Sequence, residues 1–165
     1  MEITFAPRER LQIDDARLVY RNFSGAASQF NREGDRNFSI VIESPELADE
    51  LKNLGWNVKI KPPRNEDEAP FMHLPVKVKF NDYGPRVFLK VGNAPRRPLD
   101  EDTIGMLDRI SIIRVDLDIR PYHWEVNGKT GTTAYLESMQ VVQEIDRFAS
   151  DEDYAYEDDS ETPWN

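Results

Sequence analysis

The sequence predicts a mostly-β protein: an OB-like barrel of about five to seven strands with one capping helix and a disordered acidic C-terminal tail. Three observations lead to this fold class. Apolar and polar residues alternate through most of the chain, only one segment has helical spacing, and the acids are concentrated at the end. A β-sandwich is the main alternative. Strand-like alternation occurs in segments 16–23, 36–43, 56–61, 74–80, 86–91, 110–126 (interrupted at Pro121) and 132–144.

The single predicted helix follows the second strand. Ser44 is a favourable N-cap residue, Pro45 suits the first helical position, and Gly55 is a typical residue just beyond a helix C-terminus. Apolar side chains recur on one side of this segment, at Leu47, Leu51 and Leu54. We therefore expect a short amphipathic helix that packs on the sheet or closes one end of the barrel.

Composition narrows the function before any motif is considered. The chain has no cysteine, which excludes disulfides and Cys-ligated metal sites. Its formal net charge is −10, yet seven acids and no Lys or Arg lie in 148–165, which leaves 21 basic and 24 acidic residues in 1–147. We therefore expect a nearly neutral nucleic-acid-binding domain, 1–147, followed by a flexible acidic tail, 148–165.

The N-terminal segment lacks the continuous apolar core of a signal peptide. No stretch of the sequence approaches the roughly 20 apolar residues that a membrane span requires. These features favour a cytoplasmic protein with no membrane contact.

Basic and aromatic side chains share the predicted outward faces of three strands, and no acid lies among them. Single-stranded DNA needs this combination, because cations follow the phosphates and bases stack on rings for about 1–3 kcal/mol each. The alternative is a solvated face whose lysines discourage edge pairing. The residues concerned are Lys59, Lys61, Lys77, Lys79, Arg86, Phe88 and Lys90.

Two further segments extend this predicted interface. Arg120, Tyr122 and Trp124 share one face if the strand continues through Pro121; a register shift at this proline would instead bury the tryptophan. The first long loop has arginines and aromatics at its ends, where it could clamp a strand, although ordinary solvation would give a similar pattern. These loop residues are Arg21, Phe23, Phe30, Arg32 and Arg36.

Signals for catalysis are weak. Asp116 and Asp118 could hold Mg²⁺ together with a third acid, as in a metal-dependent nuclease. However, Arg114 and Arg120 lie on the same predicted face, and ion pairing between strands is the commoner explanation. We therefore expect a non-catalytic protein with no metal and no cofactor. An acidic protein-interaction module is the other alternative.

The acidic tail ends with the apolar residues Pro163 and Trp164, which a merely solubilising segment would not need. An apolar anchor after a run of acids makes a portable peptide ligand, in which the anchor fills a pocket and the acids pair with a basic rim. The same charges could occupy the basic groove of the domain and compete with DNA. The predicted partner-binding residues are Asp158, Asp159, Glu161, Pro163 and Trp164.

Four segments resemble a family of small tailed-phage single-stranded-DNA-binding proteins with an OB fold. They are YRNFSG at 20–25, FNREGDRNF at 30–38, GWNVK at 55–59 and IRPYHWEVNGKTG at 119–131, and the resemblance covers about 20–146. It implies a non-catalytic binder of phage DNA replication or recombination in the host cytoplasm, whose tail contacts replication or recombination proteins. Association of this protein into a homo-oligomer is one assembly that we consider.

The tail departs from the better-known bacterial pattern, which ends in Pro-Phe. Here the chain ends in Pro163-Trp164-Asn165. A phage-encoded partner is therefore as plausible for this tail as a host protein.

Overall fold

The computed structural model describes residues 1–145, so the predicted tail lies outside the described residues. In this part of the chain, ten strands and one α-helix form a mostly-β fold. The elements are β1 (Glu2–Phe5), β2 (Leu11–Asp14), β3 (Leu18–Asn22), β4 (Arg36–Val41), α1 (Pro45–Asn53), β5 (Lys59–Lys61), β6 (Phe71–Val78), β7 (Arg86–Val91), β8 (Arg97–Leu99), β9 (Ile112–Val126) and β10 (Lys129–Gln143), with short 3₁₀ segments at Pro7–Glu9 and Ile104–Asp108.

The strand order is that of an OB-like barrel. The central path runs β3-β4-β6-β10-β9, in which β6 and β10 are parallel and the other neighbours are antiparallel. The sheet curls until the link into β3 meets β9, where the Ala16 amide donates to the Val115 carbonyl at 2.8 Å. Strands β1 and β2 extend the sheet beyond β9, while β7 pairs with the C-terminal half of β10. The predicted fold class, mostly β with one helix, is confirmed.

Seven of the ten strands coincide with segments predicted from alternation. The additional strands are β1, β2 and β8, each of three or four residues, which is too short for a pattern of period two to be distinguished from chance. Alternation succeeds in the long strands because every second side chain enters the core. On β6 these are Met72, Leu74, Val76 and Val78.

Pro121 does not interrupt β9. It pairs with Ala134 in an unbroken register with β10, whereas on the other side of β9 the pairing with β2 covers only Leu117 to Ile119. The proline therefore lies where β9 has no second neighbour, and its missing N–H costs no ladder hydrogen bond.

The predicted helix forms as its caps indicate. The Ser44 hydroxyl accepts from the Leu47 amide at 3.1 Å, and Pro45 is the first helical residue. Ala48 and Leu51 are buried in the hydrophobic core, and Gly55 follows the helix with a φ of +99°. In residues 1–145, no helix is both long and apolar enough to cross a membrane.

Candidate nucleic-acid interface

A row of polar and aromatic residues crosses four strands on the outer side of the barrel. Asn37 on β4 pairs with Lys77 on β6, Lys77 pairs with Tyr135 on β10, and Tyr135 pairs with Arg120 on β9. Directly paired residues of neighbouring strands project to the same side of a sheet. We call these four residues the central row; its aromatic ring has a cation on either side.

Tyr135 is the centre of a cluster that continues along the β9–β10 hairpin. The Arg120 guanidinium lies over its ring, with Cζ 4.9 Å from the centroid, and the Tyr122 ring meets it edge-on at 6.0 Å. Trp124 follows on the same face and packs on Gly131, where an added Cβ would lie 2.7 Å from the indole Cε2. The alternation of β9 thus brings together the three residues that the sequence assigned to one face.

A groove of about 620 Å³ adjoins the central row and is lined by the loop before β4, the outer side of β6 and Tyr135. Two predicted cations in it are already paired: Arg32 Nε lies 3.4 Å from Asp35, and Arg36 lies 3.8 Å from Glu101. Within residues 1–145, Lys77 and Lys79 have no ion-pair partner. The unpaired positive charge of the groove therefore comes chiefly from these lysines.

The loop between β3 and β4 is shaped by its own hydrogen bonds. The Asn31 amide donates to the carbonyls of Ala26 at 2.9 Å and Asp35 at 3.0 Å. Gly25 has a φ of +72°, and a Cβ there would lie 3.1 Å from the backbone of Gly34, so a side chain at this position would be strained. This frame presents Phe30 to solvent at 89% exposure, and the next residue, Asn31, lines the groove.

The sequence matches a family model over residues 2–160, described as "Putative phage ssDNA-binding domain". The chain belongs to this family. Members are DNA-binding domains, and the prediction of a non-catalytic protein is confirmed by the membership.

Solved structures agree on the fold. The single-stranded DNA-binding protein of bacteriophage Enc34 in complex with ssDNA is similar at a TM-score of 0.57 and 13% identity, covering 89% of this chain and 93% of that one. A C-terminal truncation of that protein gives 0.55 at 12%, covering 88% and 92%, and a further structure of it gives 0.55 at 13%, covering 94% and 99%. A search of curated proteins finds no match to this sequence.

Two residues predicted to contact DNA have structural roles. The Phe23 side chain is fully buried and stacks on Phe38 with centroids 5.0 Å apart, so no base can reach it. The Arg21 guanidinium donates to the backbone carbonyls of Leu107 at 2.8 Å and Ile110 at 2.9 Å, beside the second 3₁₀ segment. The Phe23 assignment is therefore corrected, whereas DNA contact by Arg21 stays a prediction beside this structural role.

Strand β7 carries Arg86, Phe88 and Lys90 away from the groove. These residues pair with the C-terminal half of β10, beyond the end of β6. Arg96 lies over the Phe88 ring, with its Cζ 4.0 Å from the centroid, and also donates to Gln140 at 3.2 Å. They form a separate patch that the sequence did not distinguish from the main face.

Lys59 and Lys61 lie on β5, which pairs with the first half of β6. Their partners are His73 and Phe71, on the same outer side as Lys77. They therefore extend the outer face along β6, away from the central row.

The prediction from sequence omitted two residues of these surfaces: Tyr135 of the central row and Arg96, which lies over Phe88. The sequence does carry a signal for Tyr135, since it stands between the apolar residues Ala134 and Leu136; both are buried in the structure, and this alternation directs the tyrosine outward. Arg96 lies in a loop without periodicity, so its position over Phe88 had no sequence signal.

The two aspartates of the nuclease alternative have other partners. Arg114 Nε donates to both carboxylate oxygens of Asp116 at 3.1 Å, and Asp118 accepts from the Ser138 hydroxyl at 3.0 Å. Partial burial alone would raise the pKa of Asp116, but the hydrogen bonds from Arg114 and the Asp15 amide bring it below its ordinary value. No group of three or more His, Asp or Glu side chains in residues 1–145 is arranged to hold a metal ion. An ion pair therefore accounts for Asp116, but its partner Arg114 lies on the same strand, β9, so this pair does not form between strands as expected.

Proposed function

We propose that this protein binds single-stranded DNA without strict sequence preference, along the groove and the central row. The central row carries the proposal: Lys77 and Arg120 flank Tyr135, so that phosphates and a base find their partners within one row. Ring faces and lysines do not distinguish one base from another, which favours sequence-independent binding. Trp124 and Phe30 would add stacking surfaces at the two ends.

Several predicted contacts belong to this interface at different distances from its centre. Arg32, Arg36 and Lys79 border the groove, while Lys59 and Lys61 extend it along β6. The patch of Arg86, Phe88 and Lys90 would contact only a strand that continues past the groove. We assign the largest contributions to Lys77, Arg120, Tyr122 and Tyr135.

We further propose a role in phage DNA replication or recombination, in the cytoplasm of the host cell. The domain, 1–147, would bind DNA, and the acidic segment 148–165 would bind a replication or recombination protein through Asp158, Asp159, Glu161, Pro163 and Trp164. Its seven acids would also compete with DNA for the groove. Association of several copies along one strand is compatible with this function.

Titration of labelled oligo-dT at two salt concentrations tests the proposed function. The expected result is binding that weakens as salt rises, because cations released from DNA favour the complex. Absence of salt-sensitive binding, both in the full chain and after removal of 149–165, would reject it. A protein partner captured without any DNA affinity would instead favour an acidic interaction module.

A further inference from the structure

A second group of rings lies on the outer side of the sheet, at the opposite end of β6 from the central row. Tyr20 on β3 meets Phe71 and His73 on β6 edge-on, with centroids 6.1 Å and 5.3 Å away, and the last two rings stack at 5.4 Å. We call these three residues the aromatic cluster. Tyr20 is 56% exposed, so solvent reaches the cluster.

The backbone brings Tyr20 to these rings from β3, a strand that does not pair with β6. Strand β4 lies between β3 and β6, so the tyrosine crosses above β4. There Ser39 is only 4% exposed, and its hydroxyl lies 2.9 Å from His73 Nδ1. Tyr20 has a φ of +53° at the irregularity between Val19 and Asn22, and such bulges redirect side chains. An exposed ring held in a conformation that tyrosine rarely adopts points to a role at the surface.

Two cations accompany the rings. Lys59 pairs with His73 and Lys61 with Phe71 across the β5–β6 ladder, which places both lysines on the side of the rings. In the part of the chain that the structure describes, neither lysine has an ion-pair partner. The cluster thus repeats the chemistry of the central row, rings beside unpaired positive charge.

We propose that Tyr20, Phe71 and His73 form a second base-stacking platform, flanked by Lys59 and Lys61, and that a bound strand runs along β6 between the central row and this platform. The proposal rests on the proposed function and adds a second contact region to it. Lys77 lies four positions after His73 on β6, about 13 Å away at the rise of a strand. A strand of several nucleotides reaches both regions, whereas a very short one does not.

Affinities for two lengths of oligo-dT test the platform. They are about 4 and about 16 nucleotides, the ends of the range that one OB domain covers. In the full chain, we expect Phe71→Leu and Tyr20→Leu to weaken binding of the longer oligonucleotide about tenfold, the loss of one stacked base. Binding of the shorter one should stay within about twofold, since the central row is intact. The matched control is Phe5→Leu on β1, an exposed phenylalanine at the far end of the sheet.

Changes at the lysines give an independent measurement. Lys59→Ala and Lys61→Ala should each lower the slope of log K against log salt by about 0.7 for the longer oligonucleotide alone. Thermal unfolding midpoints establish that each variant is folded. Because Tyr20 is exposed, Tyr20→Leu still tests the proposal if Phe71→Leu does not fold. Wild-type affinity of both leucine variants for the longer oligonucleotide would overturn the proposal. Equal weakening for both lengths would also overturn it, because the rings would then support the fold. Failure of the wild-type chain to bind either length would reject the proposed function instead.

Discussion

The Arg120 guanidinium lies over the ring of Tyr135, with its Cζ 4.9 Å from the ring centroid. The two residues are directly paired between β9 and β10, and on its other side Tyr135 pairs with Lys77 of β6. One ring therefore has a cation from each neighbouring strand. Because the contact with Arg120 orders both side chains before DNA arrives, less conformational entropy remains to be lost on binding.

Replacement of Tyr135 by leucine should weaken oligo-dT binding by about 1–3 kcal/mol, since a base loses its stacking ring. Tyr135→Phe retains the ring and should bind nearly as the wild type does. Fluorescence anisotropy of labelled oligo-dT measures both affinities, and circular dichroism establishes that each variant is folded. Equal losses in the two variants would mean that the hydroxyl, and not the ring face, matters.

Removal of the Lys77 charge should change the salt dependence of binding. A phosphate contact on single-stranded DNA contributes about 0.7 to the slope of log K against log salt, so Lys77→Ala should lower this slope by about that amount. Lys52→Ala, an exposed lysine in the last turn of α1, is the matched control. An unchanged slope for Lys77→Ala, measured over several salt concentrations, would remove Lys77 from the interface.

Arg21→Ala should lower the free energy of unfolding while leaving the DNA affinity of the folded protein unchanged. Its guanidinium donates hydrogen bonds to the backbone carbonyls of Leu107 and Ile110. Loss of a donor to partly buried acceptors costs about 1–3 kcal/mol. Arg32→Ala should change stability by no more than about 0.5 kcal/mol, since that side chain is exposed. Urea denaturation and oligo-dT titration of both variants separate the two roles. A DNA-specific defect in folded Arg21→Ala would restore it to the interface.

Removal of 149–165 should tighten DNA binding, most strongly at low salt. The segment carries seven acids and no Lys or Arg, and attraction between them and the groove weakens as salt screens the charges. The truncated and full chains are compared by oligo-dT titration at two salt concentrations. A full-length control with the seven acids changed to Asn or Gln separates charge from length. Identical affinities for all three chains at low salt would exclude competition by the tail.

Alternation predicted the orientation of side chains but not which strands become neighbours. Lys77, Arg120 and Phe88 all project outward as the period of two requires. Only the first two flank Tyr135 in the central row, because β6 pairs with β10 at Ala134 and Tyr135, whereas β7 pairs with its C-terminal half. These are parallel pairings between segments far apart in the chain, and no local pattern in the sequence specifies them.

Burial of aromatic residues near loops was equally beyond local patterns. Phe23 follows a register shift between β3 and β4, and its amide donates to Asp108 at 2.7 Å. This contact turns the ring toward Phe38 in the core. The sequence separation of the two partners, 85 residues, explains why proximity of Phe23 to the loop arginines was misleading.

Stability should depend on pH through His73. Burial, followed by the charges of Lys59 and Lys61, lowers the pKa of His73 in the folded protein below its ordinary value of 6.5. In the window between the lowered pKa and 6.5, the unfolded chain binds more protons, so the free energy of unfolding rises with pH. The contribution of neutral His73 is complete above pH 6.5 and is lost as pH falls through the lowered pKa.

Urea denaturation at several pH values, in the wild type and in His73→Gln, measures this contribution. Glutamine retains a polar partner for Ser39 but does not titrate, so the difference between the two proteins isolates the imidazole. The wild type should lose stability relative to His73→Gln as pH falls below 6.5, and Lys59→Ala should reduce that loss because one repelling charge is gone. Parallel pH profiles for the wild type and His73→Gln would show that the surroundings of His73 do not disfavour its charged form.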